Sequence, residues 1–312
     1  MKRLPLVTVR CLVYNHEPYL RQCLDGFVMQ KTDFAFEAIV HDDASTDNSA
    51  AIIREYAEKY PDIIKPIYES ENQYRKGTIG KIMDHAVSPS SKYIAICEGD
   101  DYWTDSLKLQ KQVDYLERHP KCGLVWAKAR CYIQEKDEFK GTTGAYMKDY
   151  YDMFINYSIA PLTTMYRSSI LPPYNEFIKG QHFMMGDSPL FLYIAHNHDI
   201  HFMDEIVGVY RVLRNSACHS DSYEKMVRFK NGTFEVVKFY YEKYGHPNFK
   251  QLESIHYSYL FNYAYNDARY DTAKEIYKQI PYPNLKIKIK RIILSSRILR
   301  NVYHYLYHKY AY

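Results

Sequence analysis

The chain has 312 residues, is 46% apolar and 25% charged, and carries a net charge of +4. That length suits one large domain, or one domain with an appendage, and the apolar share supports a sizeable core. The charge argues against a nucleic-acid binder with basic groups spread over a face: 285–312 holds seven Lys/Arg and no acid, which leaves 34 of the 41 basic residues against all 37 acidic ones.

In chain order, Leu6–Tyr14 (LVTVRCLVY) is β-branched and apolar and predicts a buried strand. Apolar spacing at Leu20, Leu24, Phe27 and Val28 predicts a helix over Glu17–Gln30. Phe36–Val40 reads as a second strand running into HDDASTD (41–47), with Ser45 or Thr46 as the expected cap of a helix over Ala50–Lys59. A strand at Ile63–Tyr68, a helix at Thr78–Ala86 and a strand at Tyr93–Cys97 follow, the last ending in EGDD (98–101). Next come a helix over Leu107–Arg118 and a strand over Gly123–Ala129. From Lys136 to Gly180 the pattern is irregular, with one strand expected at Thr163–Tyr166. A helix is expected over Gly186–Ala195, opening with Asp187, then a strand over Ile206–Arg211. Helices are expected over about 222–244, 248–265 and 269–280, before the basic tail.

Six cysteines lie scattered without a CxxC pair, several in apolar runs, which reads as reduced, buried thiols. No leader-like segment opens the chain and no run approaches the roughly 18–20 apolar residues that span a bilayer, so a cytoplasmic location is expected. The 34 tyrosines suit half-wet, sugar-facing clefts, or follow from an AT-rich genome.

Apolar strands alternating with helices over the first ~130 residues predict an α/β fold with a mostly parallel sheet flanked by helices. Ligands in such sheets bind at the carboxyl ends of the strands. Asp42/Asp43 and Asp100/Asp101 both follow predicted strands, so both pairs are expected at one crevice. Carboxylates in this setting suit Mg²⁺ or Mn²⁺, which take oxygen ligands and reach a protein through one or two carboxylates plus substrate phosphates. A solvated acidic turn is the alternative for Asp100/Asp101, and the neighbouring Tyr102 and Trp103 favour a sugar cleft instead. Asp42/Asp43 is better suited to a base N–H or ribose hydroxyls, while Ser45, Thr46 and Asp47 are expected to cap a helix.

The run LVTVRCLVYNHEPYLRQCLDGFVMQ, then EAIVHDDASTDNS, then YIAICEGDDYWTDSLKLQKQVDYL resembles the family-2 glycosyltransferases with the GT-A fold. Order and spacing agree well over about 5–130 and loosely over 160–220. The resemblance implies an inverting, metal-dependent transfer from a nucleotide-diphosphate sugar, a UDP-sugar in the first instance, to a hydroxyl of a saccharide or lipid-linked saccharide in bacterial surface polysaccharide or lipopolysaccharide synthesis. By the same resemblance Val9 and Tyr14 border the base, Asp43 or Asp42 holds it, Asp100 contacts ribose or metal, and Asp101 ligates Mn²⁺ or Mg²⁺. Glu98 stands where the family commonly has Asp, and Gly186 where it has Glu; Asp187 matches the catalytic base, with a plain helix cap as the alternative. In YRVLRNSACHS (210–220), Arg211, Arg214 and Ser216 correspond to diphosphate contacts and His219 to a third metal ligand, or to a structural histidine. A degenerate nucleotide-sugar-binding partner subunit and a sugar nucleotidyltransferase are the alternative functions; the second would need a Gly-rich basic N-terminal loop that is not seen.

The expected domains are a GT-A domain over 1–221 and a helical extension over 222–312. In the tail, Lys286, Lys290, Arg297, Asn301, His304 and His308 form one helical stripe, with Ile289, Ile292, Leu299, Tyr303 and Leu306 opposite. That pattern suits a peripheral helix at the inner membrane face; packing on the body is the alternative.

Overall fold

The computed structural model describes residues 3–214, 220 and 222–302. The chain divides into two compact units, Met1–His182 with Gly186–Leu213, and Phe183–Met185 with Arg214–Tyr312.

The first unit begins with β1 (Val7–Val13), buried on both faces as its run of Val, Cys and Leu requires. Helix α1 (Glu17–Val28) carries Pro18 in its first turn, where a missing N–H removes no helical bond, and buries Leu20, Cys23, Leu24 and Phe27. Strand β2 (Phe36–Asp42) pairs parallel with β1. Helix α2 (Ser49–Lys59) follows, then β3 (Ile64–Tyr68), which pairs parallel with β2. The short α3 (Gln73–Lys76) and α4 (Ile79–Ala86) lead to β4 (Tyr93–Ile96), parallel to β1 on its other side.

The parallel expectation holds for β3-β2-β1-β4, and beyond it the sheet turns mixed. After β5 (Tyr102–Trp103), α5 (Lys108–Arg118), β6 (Cys122–Ile133), β7 (Glu138–Thr143) and α6 (Tyr150–Asn156), the three-residue β8 (Met165–Arg167) enters antiparallel between β4 and β6. Helices α7 (Leu171–Phe177) and α8 (Asp187–Asn197) precede β9 (Asp199–Val212), which runs parallel to β6 and antiparallel to β5. The order is β3-β2-β1-β4-β8-β6-β9-β5, with β7 added on β6. The irregular reading of 136–180 missed β7, α6 and α7, each of six or seven residues and too short to display a period. The Pro172–Pro173 pair sits in the first turn of α7, where proline is tolerated.

The second unit is helical: α9 (Tyr223–Tyr244), α10 (Phe249–Asn266), α11 (Tyr270–Tyr277) and α12 (Leu285–Leu294), with helical turns resuming over 297–302. Ser222 caps α9 by accepting the Lys225 N–H, and Asn284 caps α12 by accepting that of Ile287. Phe261, Ala264, Tyr265, Ala273, Ile287 and Leu294 share its core. The tail is thus not one continuous amphipathic helix: the α-helix ends at Leu294, and Ile287 and Leu294 pack inward.

Gly208 of β9 lies against β5 so closely that a Cβ would sit 2.6 Å from the Tyr102 carbonyl oxygen and 2.7 Å from Leu162 Cδ1. Gly208→Ala is expected to destabilise the chain by about 1–3 kcal/mol through overpacking, read as a lower thermal midpoint.

Candidate functional site: an acidic crevice at the strand ends

Both acidic clusters attach to the end of β1. Gly99 N–H donates to the Leu12 carbonyl (2.9 Å) and Asp43 N–H to the Val13 carbonyl (2.9 Å), so the loops after β4 and β2 flank one strand end. Gly99 is needed there, because a Cβ would meet His16 Nδ1 at 2.8 Å and Val13 Cγ2 at 2.9 Å.

The loops after β1 and β2 interlock. Asn15 and Ala44 both hold positive φ, 56° and 61°, a conformation that costs a non-glycine residue of order 1 kcal/mol. Surrounding bonds enforce it. Asn15 N–H donates to Ser45 Oγ and Thr46 N–H to Asn15 Oδ1; His16 N–H donates to Ser49 Oγ and Glu17 N–H to Asp47 Oδ2; Asn48 N–H donates to Glu17 Oε2. The cap residue of α2 is Asn48, so Ser45 and Thr46 do not cap the helix as expected. Their polar atoms hold the β1 loop instead. Asp47 does accept an α2 amide, that of Ser49.

The two carboxylates after β2 differ. Asp43 accepts the amides of Gln73 (2.6 Å) and Tyr74 (3.1 Å), which committs both its oxygens to the start of α3. Asp42 is buried, and its Oδ1 has no partner among the described residues. Beside it, His41 is fully buried, with Nε2 3.4 Å from Glu69 Oε1 but no hydrogen-bond geometry at either ring nitrogen. Tyr14 stands exposed just past the end of β1. Val9 corrects the expectation: its side chain is wholly inside the core, mid-strand, and offers no surface to a base.

The pair after β4 is also divided. Asp101 is 3% exposed and accepts the Arg211 N–H of β9 at 2.7 Å, with burial and Asp100 holding its pKa well above the usual carboxylate range. Asp100 is half-buried, and among the described residues no side-chain hydrogen bond holds its carboxylate. Arg211 is the brace between them. Its Nε donates to the Asp100 carbonyl (2.8 Å), its other nitrogens to Gln134 and Gln22 (2.6 Å each), and its guanidinium lies over Tyr19 and Tyr102. Trp103, expected beside a sugar, is 2% exposed, packed on Phe27 and bonded through Nε1 to the Leu162 carbonyl, so it belongs to the core. Lys108 lies over its ring at 4.2 Å and donates to the Thr164 carbonyl; burial pulls that amine down to about 7.

Asp187 is the first residue of α8, next to the cap position at Gly186, and its carboxylate takes amides of the helix start, those of Asp187 and Ser188. Tyr157 Oη donates to Asp187 Oδ2 at 3.3 Å, and burial raises the Asp187 pKa. Glu98 ties this carboxylate to the β4 cluster: burial, Asp100 and Asp187 together push its pKa up to about 8. Glu98, Asp100 and Asp187 therefore share one electrostatic environment. Sequence reading gave no role to Glu98, His16 or Tyr157. Glu98 was visible as a departure from the family pattern; nothing in the sequence joined Tyr157 to Asp187. Ser216 and His219 lie outside the described residues. No group of three or more His, Cys, Asp or Glu poised to hold a metal occurs among the described residues. The donor set does fit a hard cation completed by phosphate oxygens: crowded carboxylates, one of them half-exposed and without a hydrogen bond, are what such an ion relieves.

An α/β sheet gathering carboxylates at the carboxyl ends of its parallel strands defines a nucleotide-handling enzyme class, not a structural module. The sequence model of glycosyl transferase family 2 matches residues 9–186, more than half of the chain, and the chain belongs to that family. It is 43% identical over 129 residues to the uncharacterized protein Rv1520 of Mycobacterium tuberculosis, covering 41% of this chain and 36% of that protein. It is 35% identical over 115 residues to the putative glycosyltransferase EpsE of Bacillus subtilis, covering 37% and 40%. The matches thus span about two fifths or less of these relatives. Among solved structures, TarS 1–349 of S. aureus in complex with UDP-GlcNAc superposes with a TM-score of 0.53 at 17% identity, covering 82% of this chain and 80% of that one. The mannosyltransferase PcManGT of Pyrobaculum calidifontis, in complex with GDP-Man and Mn²⁺, gives 0.53 at 17%, covering 95% and 82%. These likenesses establish the GT-A fold.

Asp101→Ala strands a buried Arg211 amide and is expected to cost about 1–3 kcal/mol of stability in metal-free protein. Asp100→Ala removes a carboxylate without a bond and is expected to stay within about 0.5 kcal/mol. Chemical denaturation in EDTA compares them.

Proposed function

We propose that this chain is an inverting glycosyltransferase that moves a sugar from a nucleotide-diphosphate donor, a UDP-sugar, to a hydroxyl of a saccharide or lipid-linked saccharide acceptor in bacterial surface polysaccharide synthesis. One observation carries the reading: Asp100 and Asp187 both lie near enough to Glu98 to act on its charge, and the loop that holds Glu98 and Asp100 flanks the same strand end as the loop that holds Asp42 and Asp43. The UDP-GlcNAc in the TarS complex supports the donor class, and the likeness to the putative teichuronic acid biosynthesis glycosyltransferase TuaG of Bacillus subtilis, 30% identical over 112 residues, supports the setting.

In this reading Asp42, with its unpartnered oxygen, and Tyr14 receive the base, while Asp43 holds the neighbouring α3 shelf in position. Asp100 would lead the hold on Mn²⁺ or Mg²⁺, with Asp101 behind it; when bound, such an ion stabilises negative charge on the departing diphosphate. Arg211 keeps the Asp100–Asp101 turn in register, and Ser216 and His219 remain candidate diphosphate and metal contacts. Asp187 takes the acceptor hydroxyl's proton as general base while that oxygen attacks the anomeric carbon. Its raised pKa makes it a stronger base than an exposed carboxylate, and Tyr157 orients it.

Asp187→Asn is expected to lower kcat by about 10²–10⁴-fold while donor-induced thermal stabilisation persists. Because its pKa lies above the ordinary carboxylate value, the wild-type rate falls as pH drops through that raised value, and the Asn variant loses this inflection. A donor-hydrolysis rate indifferent to Asp187→Asn rejects the base assignment.

Peripheral membrane contact through 285–312 is the second part of the proposal. On α12, Leu285 (72% exposed), Ile289 (47%) and Ile292 (64%) fall on one outward arc, flanked by exposed Lys286 and Lys288. Lys290 belongs to the packed side, donating to Asn262 Oδ1 at 2.7 Å. No described helix is long and apolar enough to cross a membrane. An apolar arc edged by lysines suits an anionic lipid surface. Ile289→Glu with Ile292→Glu is expected to abolish co-sedimentation with phosphatidylglycerol vesicles and to leave donor hydrolysis unchanged; retained sedimentation would remove α12 from the contact.

A further inference from the structure

The second unit carries a groove of its own, of about 320 Å³, between α9 and α10. Its floor is Phe234 stacked on His256, ring centroids 4.1 Å apart and 7° from parallel. Its wall is Tyr257, and its rim is Asn231, Glu235 and Lys238 from successive turns of α9. Spacing of three, four and seven residues puts that α9 set on one helix face.

Three features identify what fits. His256 is 8% exposed, lines the groove, and has no hydrogen bond from any described residue. Its ring nitrogens are therefore open to a ligand hydroxyl. Burial, with Lys238 and Lys230, holds its pKa down at about 4, so at neutral pH the ring is uncharged and offers one N–H and one bare nitrogen. The rim carries one carboxylate and one ammonium, with Lys230 also near enough to act on His256, and the Asn231 amide adds both a donor and an acceptor. Among the described residues no side-chain hydrogen bond or ion pair engages Asn231, Glu235 or Lys238, and the Lys238 ammonium lies over the Phe234 ring at 5.0 Å. An anionic ligand meets Glu235 and a cationic one meets Lys238. A neutral ring with hydroxyls that both donate and accept, and C–H faces that lie on aromatic carbon, matches all of these surfaces, and the volume falls in the range of small-ligand sites, about 300–1,000 Å³.

We infer that the groove between α9 and α10 is a saccharide subsite, built to take a neutral sugar unit of the acceptor glycan. It rests on the transferase reading for the word acceptor, and on its own geometry for sugar binding.

The full-length chain is titrated with the methyl glycosides of glucose, galactose and N-acetylglucosamine, and with methyl glucuronide and glucosamine as charged comparators. The readout is the His256 ring resonance, assigned by its loss in His256→Gln. A saturable shift is expected for at least one neutral glycoside, at least about fivefold tighter than for either charged sugar. Asn231→Ala with Lys238→Ala, both on exposed positions, should weaken it about tenfold while the circular dichroism spectrum stays unchanged. No saturable shift with any neutral glycoside, a preference for a charged sugar, or a shift untouched by the double substitution overturns the inference. UDP-sugar stabilisation with Mn²⁺ is read on the same samples. Glycoside binding without donor binding sinks the transferase reading and spares the groove; the reverse sinks the groove alone.

Discussion

The site hangs on two consecutive carbonyls. Within a strand, successive backbone groups point to opposite sides, so at the end of β1 the Leu12 carbonyl reaches toward β4 and takes Gly99, while Val13 reaches toward β2 and takes Asp43. Residues almost sixty positions apart in the chain are thereby held on either side of one strand end. The constraint reaches outward from there. Gly99 can close the turn only without a side chain, since His16 and Val13 fill the space a Cβ would need. Asn15 and Ala44 hold left-handed conformations because the bonds exchanged between their loops outweigh the strain.

Crowding carboxylates at that junction divides them by work. A buried carboxylate must find donors or stay protonated. Asp43 finds two amides at α3, and Asp101 finds the Arg211 amide. These two hold backbone. Asp100, Asp187 and the unpartnered oxygen of Asp42 remain available to something that arrives from outside. Glu98 shows the effect of leaving them so, with a pKa pushed up to about 8 by its burial and then by two negative neighbours. A cation or a proton would relieve that repulsion.

Strands β1, β2 and β4 were legible because each is a short, nearly unbroken apolar run, and the pairing of acids with strand ends followed from the parallel sheet. The limits have physical causes. Short elements such as β7 and α7 do not last long enough to display a period. Ser45 and Thr46 have the chemistry of helix caps, and only the loop of Asn15, thirty residues away, turns them to another task. Trp103 follows the acidic pair in sequence, yet β5 turns its ring into the core, where the Leu162 carbonyl satisfies its N–H. The family resemblance gave Arg211 to the diphosphate; in the structure its guanidinium nitrogens are engaged by Gln22, Gln134 and the Asp100 carbonyl. Tertiary partners of this kind leave no mark on local sequence.

The strand-end acids and the α9–α10 groove follow different electrostatic plans, and the contrast bears on what each can select. At the strand ends, acids of one sign are packed together and burial with like charge raises the pKa values of Glu98 and Asp101, an arrangement that a counter-charge relieves. In the α9–α10 groove, one acid faces one base, and the buried histidine is driven neutral. A site without net charge gains little from long-range attraction and must discriminate by shape and by hydrogen bonds made at contact. That suits recognition of a neutral polymer unit, for which a buried polar group left unpaired by the wrong ligand is the sharpest penalty available.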